Sequence, residues 1–558
     1  MRVIWYEKGG RRLFERPYQL IHADRPGDVQ RALGAVQAAL DAGRHVAGWL
    51  GYELGYVLEP RLSALAQGAG PLLRLGVFDA PQTEFAPPPT RAYAGPLHPE
   101  WDESGYARRF ARVKDYIAAG DIYQANLSFR AGFAFAGDPQ ALYEQLRVRS
   151  QASHCAFVDD GERQVLSLSP ELFFALDKDG RIVSRPMKGT RARLGEDAAE
   201  RSALAASAKE RAENLMIVDL IRNDLGRIAA PGSVRVEDLF RIETYPTLHT
   251  MVSTVAAQKQ PHAGAADILR ALFPCGSVTG APKIRAMEIL RELEASCRGP
   301  YCGAIGYFSP DGSAQFNVAI RTLTISGNRG ELGLGGGVVQ DSSAAAEYAE
   351  CLTKARFFED MRRPLELIET LRHENGFVRL PRHLARMQAS ARALGLSFDA
   401  AAARAALDQA VAGRTRPLRV RLTLDEEGRH RATAHDLPPD PPHWTFRLAR
   451  EYVQSNDLLL RHKTSWREIY DQPHPDCDEL IFCNERGELA EGARSNIFIR
   501  SGDAWLTPPL DAGLLPGVLR AQMIGEGRAR EAVLTPRDLA GEVWLGNSLR
   551  GLIRGVRL

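Results

Sequence analysis

An α+β protein built from more than one domain is the architecture this sequence predicts. Three observations predict it. At 558 residues the chain is too long for one hydrophobic core, and length alone points to about three or four domains. Its beginning mixes helix-like runs such as DVQRALGAVQAALDAG (28–43) with strand-like ones such as HVAGWLGYELGY (45–56). Breaks in periodicity then punctuate the chain: proline-rich PQTEFAPPPTRAYAGPLHPE (81–100), RRPLE (362–366) after a long helical pattern, and DLPPDPPHW (436–444). The first reads as a loop or linker within the first half. The second closes a large sheet-and-helix body. The third connects two smaller units.

Composition narrows the function classes. Hydrophobic residues make up 44% and charged residues 25%, as in soluble globular proteins. The net charge of +2, from 71 basic and 69 acidic residues, gives no electrostatic reason to expect nucleic acid or a membrane surface as a partner. No apolar run is long enough to span a bilayer, and MRVIWYEKGGRRLFERP lacks the apolar core of a signal peptide, so a cytoplasmic protein is expected. Seven cysteines without a CxxC pair point to reduced thiols.

In chain order, RPMKGT (185–190) sets Lys188 between a methionine and a glycine turn, either a surface lysine or a nucleophile. ASAKERAENLMIVDLIRNDLGRIA (206–229) reads as one amphipathic helix with Leu215, Ile217, Val218, Leu220 and Ile221 on one side and Glu213 near its start. GSVTGAPKIRAMEIL (276–290) places a loop before a helix that starts around Pro282. A hairpin-like pair spans 301–325, with Arg321 near its end, suited to bidentate carboxylate capture. LGLGGGVVQDSS (332–343) reads as a glycine loop whose amides approach an anion. DSSAAAEYAECLTKARFFEDM (341–361) is a second helix, with Asp341, Ser342 and Ser343 as candidate N-caps and Glu347 and Glu350 on one face. Two readings of these carboxylates stand side by side: oxygen ligands for Mg2+, or solvated surface charge.

The stretches GDIYQANLSF, SPELFF, RPMKGT, ENLMIVDLIRNDLGR, PCGSVTGAPKIRAMEIL, YCGAIGYF, NVAIRTL and GGGVVQDSSAAAEYAECLTKA resemble, in the same order, the chorismate-utilising enzymes. The resemblance covers roughly residues 100–360, with 1–100 as the variable N-terminal part and 101–362 as the catalytic region. It implies a large body with antiparallel sheets and helices around a buried site. A lysine at position 188, where anthranilate synthases carry alanine, is typical of the members that make 4-amino-4-deoxychorismate. On that likeness Lys188 attacks chorismate at C2 and displaces the C4 hydroxyl, after which ammonia attacks C4 and displaces the lysine. Glu171 acts as acid or base at the ring hydroxyl, and His249 matches the active-site histidine. Ser277, Tyr301, Arg321, Gly335 and Gly337 hold the substrate carboxylates. Glu213 and Glu350 bind Mg2+, and Glu347 supports the ion through water. No cysteine sits in a glutaminase-like context, so ammonia is expected from a separate glutamine amidotransferase subunit or as free ammonia used directly.

The last part is a different module. A lysine in HKTSWR, a strand–turn–strand carrying Glu491, and PGVLR entering a helix point to a site for a phosphate-bearing cofactor. LIETLRHENGFVRLPRHLARMQASARALGLSF (367–398) reads as a short strand pair and a helix. Residues 366–558, with lobes near 366–435 and 444–558, resemble the class IV PLP-dependent aminotransferase family, a smaller two-lobed α/β domain. The likeness implies that Lys463 bonds pyridoxal 5'-phosphate, that Glu491 pairs with its ring nitrogen, and that Arg386, Val518, Leu519 and Ser548 hold its phosphate. It also implies dimerisation through this domain. Such members begin with a further strand-rich segment before the motif that LIET matches. Here that segment is missing, so either the first domain or a second subunit is expected to fill the gap, or activity is reduced. Two consecutive reactions follow, with 4-amino-4-deoxychorismate split into pyruvate and 4-aminobenzoate for folate synthesis. The alternatives are another class IV aminotransferase, a non-catalytic docking module, or, further off, an anthranilate synthase.

Overall fold

The computed structural model describes residues 1–7, 10–68, 70–193, 195–245 and 248–558, with Ala192 described by its backbone only. The chain divides into two compact units. The first comprises Met1–Pro87, Leu97–Phe133 and Tyr143–Met361; the second comprises Pro88–Pro96, Ala134–Leu142 and Arg362–Leu558.

The first unit is built on two large sheets whose described registers are antiparallel. In one, the strand Gln124–Gly137 lies beside Arg329–Val338, followed by Thr322–Ser326, Gln164–Ser169 and His154–Asp159. In the other, Met187–Ala192 borders Leu248–Gln258, which also pairs with Arg181–Arg185 and Arg235–Thr244. Antiparallel sheets with helices packed on them are the expected α+β architecture. The main apolar core gathers helix residues such as Leu33, Val36, Ile217 and Ile221 with strand residues such as Phe174 and Phe316.

The helix expected over 206–229 spans Ala208–Gly226 and follows a separate helix, Asp197–Ala206. Ser207 caps it by accepting from the Glu210 amide at 3.3 Å. Its buried stripe runs through Asn214, Ile217, Val218, Ile221 and Leu225, the 3–4 spacing of one helical face. Leu215 lies off that stripe and is 50% exposed, contrary to its expected place on the apolar side. The second helix spans Ala344–Glu359 with Ser343 at its N-cap. The glycine run expected as a loop is instead the end of the strand Arg329–Val338. Its glycines serve close packing rather than a turn, since their neighbours occupy the space a Cβ would need.

The second unit carries two sheets. Leu367–His373, Leu418–Leu424 and His430–Asp436 form an antiparallel sheet accompanied by the helices Leu380–Ala393 and Ala400–Val411. A mixed sheet then runs through Glu479–Cys483, Trp444–Leu448, Gly551–Arg557, Val543–Asn547 and Asn496–Ser501. Of the strand pair expected after residue 367, the second member is reduced to a single bridge between His373 and Phe377.

The proline-rich stretch 81–100 departs most from its reading as a linker. Residues 88–96 belong to the second unit, and Ala92–Ala94 is a strand in register with Phe135–Gly137. Tyr93, fully buried, packs in one apolar cluster with Leu367, Leu371, Met387 and Leu459. Arg91 donates to Asp457 at 2.7 Å. The second unit therefore takes two segments from the first half of the chain. Among the described residues no helix is long and apolar enough to cross a membrane.

Candidate active sites

The first site is organised by the strand that carries Lys188. Its Nζ lies 3.3 Å from Glu213 Oε2, on the Ala208–Gly226 helix. Asn214, the next residue, donates from Nδ2 to the carbonyls of Lys188 at 3.1 Å and Met251 at 3.3 Å, and accepts from Ser253 Oγ at 2.6 Å. These bonds fix the Lys188 backbone against the helix and strand. A Cβ on Gly337 would lie 2.6 Å from Lys188 Nζ and 2.7 Å from Gln124 Nε2, so glycine there lets both groups meet the strand. Gln124 is fully buried, and neither its amide nitrogen nor its oxygen has a hydrogen-bond partner among the described residues. A buried amide left open is costly unless something else is bound there.

Carboxylates surround the lysine. Glu171 is buried, accepts from the Met187 amide at 3.4 Å, and is pushed up to about 7 by burial against the pull of Ser277, Met187 and Lys188. It is therefore able to carry a proton near neutral pH. Burial, and then the charge of Glu213, also raise Glu210. Burial and the charge of Glu350 raise Glu347, against a 2.6 Å hydrogen bond from Ser342. Glu350, 57% exposed, pairs with Lys354 at 2.9 Å, and Lys354 also donates to the Gly335 carbonyl at 2.9 Å. Alternation along the strand splits these groups: a Cβ at Gly337 meets Lys188 and Gln124, whereas one at Gly336 meets Glu347, Cys351 and Lys354.

The expected carboxylate-holding residues are spread along this frame. Tyr301 fills the space over Gly333, and Ser128 that over Gly335. Ser277 sits in the turn Gly276–Val278 and hydrogen-bonds Glu171 and Cys275. Arg321 occupies the tight link before Thr322–Ser326 at φ 48°. It makes no ion pair or side-chain hydrogen bond among the described residues, and burial pushes its guanidinium below the ordinary value. An arginine so placed favours an anionic ligand.

His249 lies on the strand that pairs with the one bearing Lys188, opposite Arg191. Its Nδ1 lies 3.0 Å from Thr244 Oγ1, and its Nε2 lies 3.5 Å from Asp197 Oδ1 and 3.3 Å from Glu200 Oε2. No described hydrogen bond or ion pair joins it to Glu171, Lys188, Glu213 or Glu350. The separate helix Asp197–Ala206, absent from the sequence reading, supplies its acidic neighbours.

The second site surrounds Lys463. Its amine makes no ion pair or side-chain hydrogen bond among the described residues. Burial, helped by the charges of Arg467 and Arg386, pushes it down to about 7. Glu491, in Leu489–Gly492, is pushed up to about 7 by burial despite hydrogen bonds from Tyr470 and the Leu515 amide; the Tyr470 bond is 2.8 Å. Glu369 binds Arg386 through both carboxylate oxygens, at 2.8 and 2.7 Å, and His383 Nδ1 at 2.6 Å. Burial alone would raise the Glu369 carboxyl, but Arg386 and His383 hold it down at about 2. His383 Nε2 in turn lies 2.7 Å from Ser548 Oγ. Val518 and Leu519 open the helix Val518–Gly525, where first-turn amides have no partner within the helix. A Cβ on the preceding Gly517 would lie 1.8 Å from Asn496 Oδ1.

Residues 16–360 match the chorismate binding enzyme family. The chain belongs to that family. Residues 366–558 match the amino-transferase class IV family. An aminodeoxychorismate synthase component 1 from Klebsiella aerogenes is 49% identical over 252 residues, covering 45% of this chain and 56% of the relative. An anthranilate synthase component 1 from Streptomyces coelicolor is 42% identical over 259 residues, covering 46% of this chain and 50% of the relative. The chain thus spans about half the length of the curated relatives it matches. Among solved structures, anthranilate synthase component I from Streptococcus pneumoniae TIGR4 aligns with a TM-score of 0.53 at 27% identity, covering 65% of this chain and 90% of that one.

Within this chorismate binding enzyme the sequence reading passed over several site residues. Gln124 and Asn214 lie inside the family-like motifs, but their roles come from burial, with the side-chain amide of Gln124 unmet among the described residues and that of Asn214 fully bonded. Glu210 sits one turn before Glu213, a spacing that was legible. Glu369 and His383 were hidden because their partners, Arg386 and Ser548, are 17 and 165 residues away.

Proposed function

We propose that the first unit joins chorismate and ammonia to give 4-amino-4-deoxychorismate, and that the second releases pyruvate from it to give 4-aminobenzoate. The observation that carries this reading is Lys188, whose amine faces Glu213 and the open amide of Gln124 with protonatable Glu171 nearby. Lys188 Nζ forms a bond to C2 as the C4 hydroxyl departs, with Glu171 supplying the proton that makes it water. Ammonia then bonds to C4 and the C2–Nζ bond breaks, returning the amine. Arg321, Tyr301, Ser277 and the Gly335–Gly337 backbone hold the substrate carboxylates.

Mg2+ fits the acidic ring. Glu213 and Glu350 repel Glu210, and Glu350 repels Glu347, a repulsion that a dication relieves. Glu213 and Glu350 would hold the ion, and Glu347 would support it through water, since Mg2+ needs only one or two carboxylates beside substrate oxygens and waters. It would supply positive charge toward a substrate carboxylate.

Ammonia comes from a separate glutaminase. The relatives' designation as component 1 supports a second component. The chain's own thiols also favour this: burial pushes Cys155, Cys275 and Cys351 up to about 12 and Cys302 to about 11, far from thiolate nucleophiles.

In the second unit the donor set fits pyridoxal 5'-phosphate. Glu491 is a buried acid that makes no ion pair among the described residues, suited to the ring nitrogen. Arg386, the Val518 and Leu519 amides and Ser548 suit the phosphate. PLP supplies the electron sink for loss of the three-carbon side chain. Lys463, whose amine burial brings down to about 7, would hold the cofactor and move the proton at ring C4.

The deciding experiment feeds chorismate, Mg2+ and ammonium to the full chain and identifies the product. The expected product is 4-aminobenzoate with one pyruvate. A stop at 4-amino-4-deoxychorismate removes the lyase half, and anthranilate overturns the role of Lys188.

A further inference from the structure

The turn Gly276–Val278, which carries Ser277, is held from each side by a cation outside the acidic ring. On one side the largely buried Lys283 donates from Nζ to the carbonyls of Leu272 at 3.1 Å and Pro274 at 2.9 Å, and pairs with Asp224 at 2.6 Å. Three acceptors thus meet the three protons of its ammonium. On the other side the buried Arg298 donates from Nη1 to the Val278 carbonyl at 2.7 Å and from Nη2 to the Asn126 carbonyl at 2.6 Å. Glu294 binds the remaining edge of the guanidinium, at 2.8 Å to Nε and 2.6 Å to Nη2, and also accepts from the Ser128 amide at 2.9 Å. Glu53 anchors the backbone there, accepting from the Arg298 and Gly299 amides at 2.6 and 3.0 Å. Buried ion pairs are poor sources of stability, since apolar side chains of similar volume often serve as well. These pairs add direction instead. Arg298 fixes two segments at once: the Ser277 turn, and the strand Gln124–Gly137 two residues beyond Gln124.

On the first-step roles of Ser277 and Glu171 put forward above, we propose that Lys283 and Arg298 are positioning residues for that step. Holding residues 272–278 by their carbonyls, they keep the Ser277 hydroxyl on Glu171 and in reach of the substrate carboxylate. Among the described residues neither cation bonds Glu171 or Lys188, so each acts through the turn. Glu171 also faces the Met187 amide, Lys188 and the Cys275 thiol, none of which is bonded to either cation. The Ser277 hydrogen bond favours the ionised form of Glu171. A turn that drifts withdraws it, and Glu171 then keeps its proton to higher pH.

The test replaces each pair whole in the full chain, so that no charge is left buried alone: Arg298→Met with Glu294→Gln, and Lys283→Met with Asp224→Leu. The glutamine keeps an acceptor for the Ser128 amide. With chorismate, Mg2+ and ammonium, each double variant should lose roughly 10–100-fold in kcat for the first step, the scale of a small misplacement. KM for chorismate should rise, and the alkaline limb of the first-step pH profile should move to higher pH. Splitting of supplied 4-amino-4-deoxychorismate should be unchanged. Arg298→Lys, which keeps the charge but cannot span both carbonyls and Glu294, should recover part of the loss. Wild-type kcat, KM and limb in either double variant overturn the proposal. So does a loss of kcat with the limb unmoved, the mark of a merely structural role. If a double variant fails to fold by circular dichroism, Arg298→Lys decides: a limb moved to higher pH supports the proposal, and a wild-type limb overturns it. A wild-type chain that makes no 4-amino-4-deoxychorismate overturns the roles of Ser277 and Glu171, and the positioning role with them.

Discussion

Lys188 and Lys463 are the same side chain in opposite surroundings. The amine of Lys188 faces carboxylates, with Glu213 at 3.3 Å and Glu210, Glu347 and Glu350 in its field. Lys463 faces guanidinium groups, and burial together with Arg467 and Arg386 drives it to about 7. The first has a carboxylate within ion-pair distance; the charge of the second is suppressed. A lysine that must bond an aldehyde cofactor gains from being neutral beforehand. A lysine that works within an acidic ring depends on what else that ring holds. The buried acids run parallel, since burial brings both Glu171 and Glu491 to about 7.

The largest effects come from removing either amine. Lys188→Ala is expected to cut 4-amino-4-deoxychorismate formation on the order of 10⁴-fold, the scale of losing a covalent nucleophile. Chorismate binding should persist, because the carboxylate contacts lie elsewhere, and some anthranilate should appear. Lys463→Ala should leave the first step untouched and accumulate 4-amino-4-deoxychorismate, with 4-aminobenzoate restored by an independent lyase. Product profiles of the two variants separate the lysines, and equal loss of both steps in either variant breaks the comparison.

Acidity should pull the two sites apart. Glu171 must carry a proton, so the first step should lose about tenfold per pH unit above about 7. Lys463 must be neutral, so covalent capture of PLP, trapped by borohydride and read by mass spectrometry, should fall tenfold per unit below about 7. Stability moves by the same linkage. The depressed Lys463 contributes fully only above about 10.4, the ordinary lysine value, and that contribution is lost as pH falls through about 7. The raised Glu491 contributes below about 4.3 and loses its contribution as pH rises through about 7. Parallel pH profiles for the two steps would remove the opposition between the sites.

A smaller effect separates the carboxylates. Glu347 meets the glycine strand at Gly336, whereas Lys188 meets it at Gly337. Glu347→Gln should therefore act as the loss of a supporting group, weakening Mg2+ by roughly 10–100-fold. Glu213→Gln should cost more, since it also removes the Lys188 partner. A Mg2+ titration of the first step ranks them, and the reverse order would place the ion on the Glu347 side.

What the sequence made legible was local. The Lys188 motif, the 3–4 spacing of Ile217, Val218 and Ile221, and the entry to the Val518–Gly525 helix all depend on near neighbours. What it hid was set by distant ones. The glycines at 335–337 read as a loop because what they admit, Ser128, Lys188, Gln124 and Glu347, comes from other elements. Leu215 looked apolar enough to be buried, yet helix geometry turned Asn214 inward instead. His249 carried a motif-like position, but its acidic neighbours, Asp197 and Glu200, come from a separate helix. The proline-rich stretch 81–100 offered little periodicity, and its short strand has meaning only with its partner forty residues on.

That stretch provides the smallest and most local test of the comparison. The unit containing Lys463 includes Tyr93, whose hydroxyl donates to Glu426 at 2.9 Å. Glu426 also accepts from Arg362 at 2.6 Å and from the Leu365 amide at 3.3 Å. Burial and the Glu426 charge raise the Tyr93 phenol, so it stays a donor across the physiological range. Tyr93→Phe keeps the ring in its apolar cluster and its edge contact with Trp466, 6.0 Å between centroids, and deletes only the hydroxyl. A hydrogen bond to a charged group contributes about 1.5–3 kcal/mol, so the variant should lose that much from the second unit's unfolding transition. Tyr93→Ala should lose roughly 3–5 kcal/mol by opening the core. Denaturation followed through bound PLP reports this unit, while the chorismate step at low denaturant reports the first. A loss confined to the PLP signal establishes residue 93 as part of the fold around Lys463. An unchanged PLP transition in Tyr93→Ala would return the stretch to the linker its composition first described.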